Sequence, residues 1–296
     1  MSTVPNFAGN FLGNGAPFIS NFPAVGSPWG TLVKPGGRVA AYVRSTGAQD
    51  GEDHFAASGL LVATINEGLK RCRSGQNDIV YVLPGHTETY STTGAVWANL
   101  VAGAQILGCG VPGATNAPTL NLTHAGASIA LNVANVTLAG FNIVGGVATA
   151  TASIVITGAG CTLAGNFLNF GGAALGANSP IAVTGAATCS IVGNNIVADS
   201  TATMIAITGA GSTNFLITDN IARQAQATSG GGFSSTANTA GISGHYARNL
   251  FKTAVTSTGG AGVIVLGAAT ITTVGNHENY GGEETAAASL LVTGAT

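Results

Sequence analysis

Charge is what this sequence has least of. Only 7% of its 296 residues are Asp, Glu, Lys or Arg, against about a quarter in an ordinary soluble domain. Nine Lys and Arg stand against eleven Asp and Glu, a net charge of −2, so there is no basic footprint for nucleic acid or for an anionic membrane surface. The scarcity is also uneven. No charged residue precedes Lys34, and none lies between Glu88 and Asp199. Long apolar runs are missing too: no stretch of about 18 apolar residues could span a bilayer, and Met-Ser-Thr-Val-Pro-Asn-Phe7 has neither the basic start nor the apolar core of a signal peptide. The expectation is a soluble chain synthesised in a host cytoplasm, with no nucleic-acid and no membrane partner. Cys72, Cys109, Cys161 and Cys189 lie far apart with no C-x-x-C pair, which argues against a zinc knuckle and a disulfide framework and leaves buried free thiols.

What is present is apolar and repetitive. Hydrophobic residues make up 46% of the chain, far too much for disorder, so the surface must be built from Ala, Gly, Ser, Thr and Asn. Five segments share one form: Ile129-Ala-Leu-Asn-Val-Ala134, Ile154-Val-Ile-Thr-Gly-Ala159, Ile181-Ala-Val-Thr-Gly-Ala186, Ile205-Ala-Ile-Thr-Gly-Ala210 and Val263-Ile-Val-Leu-Gly-Ala268. The first four start 25, 27 and 24 residues apart. Strands this short cannot bury their inner face alone, so stacked coils must close the core. This predicts an all-β, right-handed parallel β-helix over residues 89–296. A β-sandwich of hairpins would instead favour two-residue Asn-Gly turns and longer alternating runs. One coil reads as swollen, with 37 residues from Ile205 to Ile242 and the excess in the Gly/Ser/Thr stretch 224–240.

A second landmark keeps step with the first. Asn142, Asn166, Asn195, Asn220, Asn249 and Asn276 recur at the polar corners, just before Ile143, Phe167, Ile196, Ile221, Leu250 and His277. Stacked at about 4.8 Å per coil, their amides can bond up and down the column and satisfy groups that would otherwise be buried at a cost. Residues 36–88 read as a cap: Leu61, Ile65, Leu69 and Cys72 recur at three and four, with Asp53 as a candidate helix N-cap. A helix there would cover the first sheet edge. Residues 1–35 read as an extended arm, with Phe7, Phe11, Phe18, Phe22 and Trp29 spread among Gly, Pro, Asn and Ser without period.

The order helix, Gly turn, strand Asp78–Leu83, Pro84-Gly85 and then Thr and Tyr, followed by the asparagine column, resembles the entry to pectate-lyase-like right-handed parallel β-helix proteins. The flavour is closest to bacteriophage virion proteins of that class, both head-decoration and tailspike-like. The resemblance covers about residues 40–296 and is one of pattern, without a diagnostic catalytic motif.

The chemistry of an enzyme is hard to place on this chain. From Thr89 to Asn276 the only carboxylates are Asp199 and Asp219, on different coils and laterally offset, whereas a glycosidase needs two about 5 to 9.5 Å apart. A calcium-dependent lyase would want an acidic cluster that the sequence lacks. Gly108-Cys-Gly-Val-Pro-Gly113 fits G-x-G-x-x-G but leads into Ala-Thr-Asn-Ala-Pro118 instead of a helix, and reads as a corner. His86 and Glu88 read as hydrogen-bonding turn residues, and His277, Glu278, Glu283 and Glu284 as a solvated loop closing the last coil. The sequence therefore points to no catalytic residues, no metal and no cofactor. With the resemblance, it implies an exterior capsid decoration or cement protein of a virion, a homotrimer whose arm residues Phe7, Phe11, Phe18, Phe22 and Trp29 grip the major capsid protein or another virion protein. The alternative is a tailspike-like receptor protein that binds or degrades polysaccharide.

Overall fold

A computed structural model of the chain describes residues 37–45, 59–145, 153–171, 180–198, 204–224, 233–235, 241–253, 264–266, 270–275 and 277–280. Within them the chain is a right-handed parallel β-helix. Its described strands form three parallel sheets of ten, eight and seven strands, and within the body each strand pairs with its counterparts one coil before and after. The repeat segments stack in register: Ile129 pairs with Ile154, Ile154 with Ile181 and Ile181 with Ile205, all in the seven-strand sheet. This is the geometry the β-branched repeat dictates. Each isoleucine turns into the lumen and is fully buried, worth about 1.5–3 kcal/mol per side chain, but only once a neighbouring coil covers it.

The lumen is one continuous core running from Val43 and Val80 through Leu120, Leu138, Phe141, Leu163 and Ile191 to Tyr246. Two glycines are there because an aromatic ring needs their side-chain space. A Cβ on Gly145 would fall inside contact of the Phe170 ring, and one on Gly244 inside contact of Phe215. Phe215 in turn meets Tyr246 edge-on with ring centroids 5.3 Å apart, the arrangement favoured by the ring quadrupoles.

Several sequence expectations need correction. The coil after Ile205 is not swollen to 37 residues: Phe233–Ser235, inside the Gly/Ser/Thr stretch, is a strand of the seven-strand sheet, with Phe233 paired to Ile205 and to Ile264. Phe-Ser-Ser lacks the β-branched signature, and stacking on an existing edge supplies what propensity does not. The cap helix is short, Ile65–Leu69, and is capped by Thr64 with Glu67 completing a capping box, whereas Leu61 lies in the two-residue strand Leu61–Val62. Asp53 lies outside the described residues. His277 and Glu278 belong to the strand His277–Tyr280, paired with Leu250–Thr253, not to a closing loop; Glu283 and Glu284 lie outside the described residues. The cap and the body share sheets: Val39–Val43 and Ile79–Val82 begin the ten-strand sheet, and Thr87–Tyr90 begins the eight-strand sheet, so the boundary expected after residue 88 falls within a strand.

Candidate functional site

The polar groups of the solenoid gather at one corner, where the chain turns from the ten-strand into the eight-strand sheet. The turn is made by a single residue of positive φ: Gly140, Gly165, Gly193, Asp219, Arg248 and Gly275, at φ of 88°, 48°, 63°, 58°, 53° and 59°. Glycine serves that conformation best. Asp219 and Arg248 adopt it as neighbours in the stack, and Arg248 donates from Nε and Nη2 to the Asp219 carboxylate at 2.7 and 2.8 Å. That guanidinium holds the Asp219 pKa below its usual value.

The residue after each turn is the column position. Asn166, Asn194, Asn220 and Asn249 occupy it, all buried. The Nδ2 of Asn166 donates to Oδ1 of Asn194 at 3.0 Å, Asn194 to Asn220 at 3.0 Å and Asn220 to Asn249 at 2.9 Å. Each Oδ1 also accepts the backbone N–H one coil earlier, from Phe141 N on Asn166 Oδ1 to Asn220 N on Asn249 Oδ1. The remaining amide protons reach carbonyls of the preceding coil, Leu138, Leu163, Ile191 and Ile217.

Asn142 and Asn195 are not in the column. They stand one residue later, on the outer face of the eight-strand sheet, in register with Thr119, Phe167, Ile221 and Leu250. Phe141 fills the column position on the coil of Asn142. Asn142 instead anchors the loop containing Gly108–Gly113: Gly113 N donates to its Oδ1 at 2.6 Å and its Nδ2 donates to Ala114 O at 3.0 Å. Asn276 lies outside the described residues, as do the arm residues Phe7, Phe11, Phe18, Phe22 and Trp29. The sequence signal that separates Asn194 from Asn195 is the preceding glycine: Gly165-Asn166, Gly193-Asn194 and Gly275-Asn276 share it.

Two further clusters tie the cap to the body. Asp78, fully buried, accepts Arg73 N, Nε and Nη2 at 2.9, 3.0 and 2.8 Å and Arg38 N at 3.3 Å. The hydrogen bonds from Arg73 drive its pKa down to about 2. Glu88 lies at the junction. Its Oε1 accepts the helix N–H of Ile65 at 2.6 Å and meets His86 Nε2 at 3.0 Å, while Oε2 accepts the Tyr90 hydroxyl, which in turn takes Trp97 Nε1 at 3.0 Å. Burial pushes the Glu88 carboxyl up, but these donors outweigh it and hold it below the usual carboxylate range. A general base needs an oxygen free to face a substrate; Oε1 of Glu88 is taken up by the helix N–H and His86, and Oε2 by the Tyr90 hydroxyl.

These depressed carboxylates give the fold a pH dependence of known sign. A group whose folded pKa lies below its unfolded one stabilises the fold above its ordinary value and stops doing so as pH falls through the folded one. The denaturant midpoint is expected to hold from about pH 7 to 5 and to drop below about pH 4. Asp78 supplies on the order of 2 kcal/mol of that slope, discounted for the half-exposed Arg73. Asp78→Asn should flatten the drop between about pH 4 and 2; an unchanged acid limb would show that this ion pair is not what fails.

All four cysteines are free thiols, with Cys109, Cys161 and Cys189 buried. Burial pushes Cys72 and Cys109 up to about 12, which keeps them unreactive at neutral pH. Among the described residues no group of three His, Cys, Asp or Glu side chains could hold a metal ion, and no helix is long and apolar enough to cross a membrane. No family model, no curated protein and no solved structure matches this chain, so what is established about it is the architecture: a right-handed parallel β-helix with an internal asparagine column.

Proposed function

We propose that this chain is a structural protein of a bacteriophage-like virion, an exterior decoration or cement protein that stands on the capsid as a homotrimer and attaches through residues 1–35 to the major capsid protein or another virion protein. The observation that carries the reading is the charge-free tract of residues 89–198, whose described strands stack as coils. A free rod normally keeps both signs of charge on every side for solubility; flanks without charge suit a molecule that works beside other protein. Stiffness comes from the hydrogen-bonded column, in which each asparagine amide is bonded to the coils beside it. Of the described carboxylates, Glu67, Asp78, Glu88 and Asp219 serve as structural acceptors. The arm contributes apolar anchors: insertion of even two phenylalanines, at about 1.5–3 kcal/mol each, would change affinity by about a hundredfold or more.

Cosedimentation with purified particles tests this. The chain lacking residues 1–30 should remain folded and lose its association with the particle. Retention of full binding by the truncated chain would overturn attachment through the arm, and release of reducing ends from host surface polysaccharide would favour the tailspike-like reading instead.

A further inference from the structure

Among the described strands, the seven-strand sheet ends on Ile264–Leu266, which pairs on one side with Phe233–Ser235 and on the other with no described strand. The chemistry of that edge is set by the coils before it. At Ile129, Ile154 and Ile181 the backbone N–H points to the following coil and donates to the residue before its register partner: Ser153 O at 2.9 Å, Pro180 O at 2.9 Å and Met204 O at 3.1 Å. Register carries this position through Ile205 and Phe233 to Ile264. Leu131, two residues after Ile129, also faces the following coil, its carbonyl accepting Thr157 N and Gly158 N. Leu266 stands in the same relation to Ile264, so the edge offers two residues to an incoming strand. An edge of this kind is a template for extended chain.

We infer that its occupant is the segment Ser289–Thr293 of this same chain, which lies outside the described residues. Two features of the sequence support this, and neither depends on the proposed function. The first is form. Leu290-Leu-Val-Thr-Gly-Ala295 repeats Ile154-Val-Ile-Thr-Gly-Ala159, Ile181-Ala-Val-Thr-Gly-Ala186 and Ile205-Ala-Ile-Thr-Gly-Ala210, and Val292 to Ala295 matches Val183 to Ala186 residue for residue. All three of those segments enter this sheet. The second is spacing. Leu290 follows Ile264 by 26 residues, inside the range of 24 to 31 that separates the coil starts from Ile129 to Ile264.

Each part of the repeated form has a task at this place in the coil. Its first and third residues fill the lumen: Ile154 and Ile156, Ile181 and Val183, and Ile205 and Ile207 are all buried. Its second residue, at Val155, Ala182 and Ala206, is outward and half-buried. The hydroxyls of Thr184 and Thr208 stack 3.1 Å apart, and Gly185 and Gly209 make the next bend at φ of 64° and 84°. Residues 290–294 supply the same types in the same order. The pairing sets Leu290 against Ile264, Leu291 against Val265 and Val292 against Leu266, with Ile264 N donating to Ser289 O. An edge filled from within the chain takes no strand from another molecule.

Amide hydrogen exchange of the full chain, compared with the chain ended after Gly282, reads the edge directly. Ile264 and Leu266 should exchange slowly in the full chain and at least about tenfold faster in the shortened one, while Ile154 and Ile181 keep their rates. Equal rates at Ile264 and Leu266 in the two chains would overturn the inference. Should the shortened chain lose its fold, seen as release of Ile154 and Ile181 as well, two variants of the full chain decide. Val292→Asp, which sets a charge in the lumen, should release Ile264 and Leu266, whereas Leu291→Asp, on the outer side, should leave them protected. Equal effects of the two variants would rule out this pairing. Protection that appears only as the protein concentration is raised would mean that the strand comes from a second copy, and would overturn occupation by the same chain.

Discussion

Asn194→Ala should destabilise the protein by roughly 3–5 kcal/mol, while Asn195→Ala, its immediate neighbour, should change stability by no more than about 0.5 kcal/mol. The difference lies in what each amide touches. Asn194 accepts two N–H groups of Asn166 at 3.0 Å and donates to Leu163 O, Val192 O and Asn220 Oδ1. Removing it strands donors on the coil before and acceptors on the coils either side, all in the interior, where an unmet polar group costs about 1–3 kcal/mol. Asn195 lies half-buried on the outer face of its strand, and its Oδ1, though buried, has no hydrogen-bond partner whose loss would cost stability. Urea unfolding checks the pair, read as a shift in midpoint at constant slope. Equal effects for the two variants would mean that the column does not run through Asn194.

Gly140→Ala is expected to cost about 2–5 kcal/mol, against about 1 kcal/mol for Gly85→Ala. Both glycines have positive φ, 88° and 76°, so both substitutions carry the strain of a left-handed alanine, about 1–2 kcal/mol. They differ in space. A Cβ on Gly85 meets nothing within 4 Å, whereas one on Gly140 would run into the carbonyl oxygen of Gly108 on the coil before, and one on Gly108 into the carbonyl of Gly140. Backbone cannot move aside as a flexible side chain can, because each carbonyl belongs to a coil whose register is set by its neighbours. Thermal or urea denaturation of the two variants separates conformational strain from steric exclusion; similar losses would show that the coils can spread at this corner.

The repeat was legible because its physics is local and periodic. Ile129, Ile154, Ile181 and Ile205 announce a lumen position by type and spacing, and the structure stacks them as read. Phe233 carries no such signal, because a strand added to an existing sheet edge does not need its own β-branched residues, and the coil therefore reads as long in the sequence. The column was legible as a composition, Asn at each corner, but not as a register: Asn194-Asn195 offers two candidates, and Asn142 follows Phe141 where the column holds an aromatic ring. Only the positive-φ residue before the column position fixes the choice, and at Asp219 and Arg248 that residue is not glycine. The cap clusters were out of reach for a different reason. Asp78 with Arg38, and Glu88 with Ile65, join groups 40 and 23 residues apart, and no period in the sequence links them.

The chain is a stack of coils wired along one corner by Asn166, Asn194, Asn220 and Asn249. Nuclear Overhauser contacts between side-chain amide protons in the labelled, full-length protein test it most directly. A connected series from Asn166 through Asn194 and Asn220 to Asn249 is expected, with slow exchange at each, and rapid exchange at Asn195. A series that runs through Asn142 and Asn195, or amides of all these residues exchanging freely with water, would contradict it.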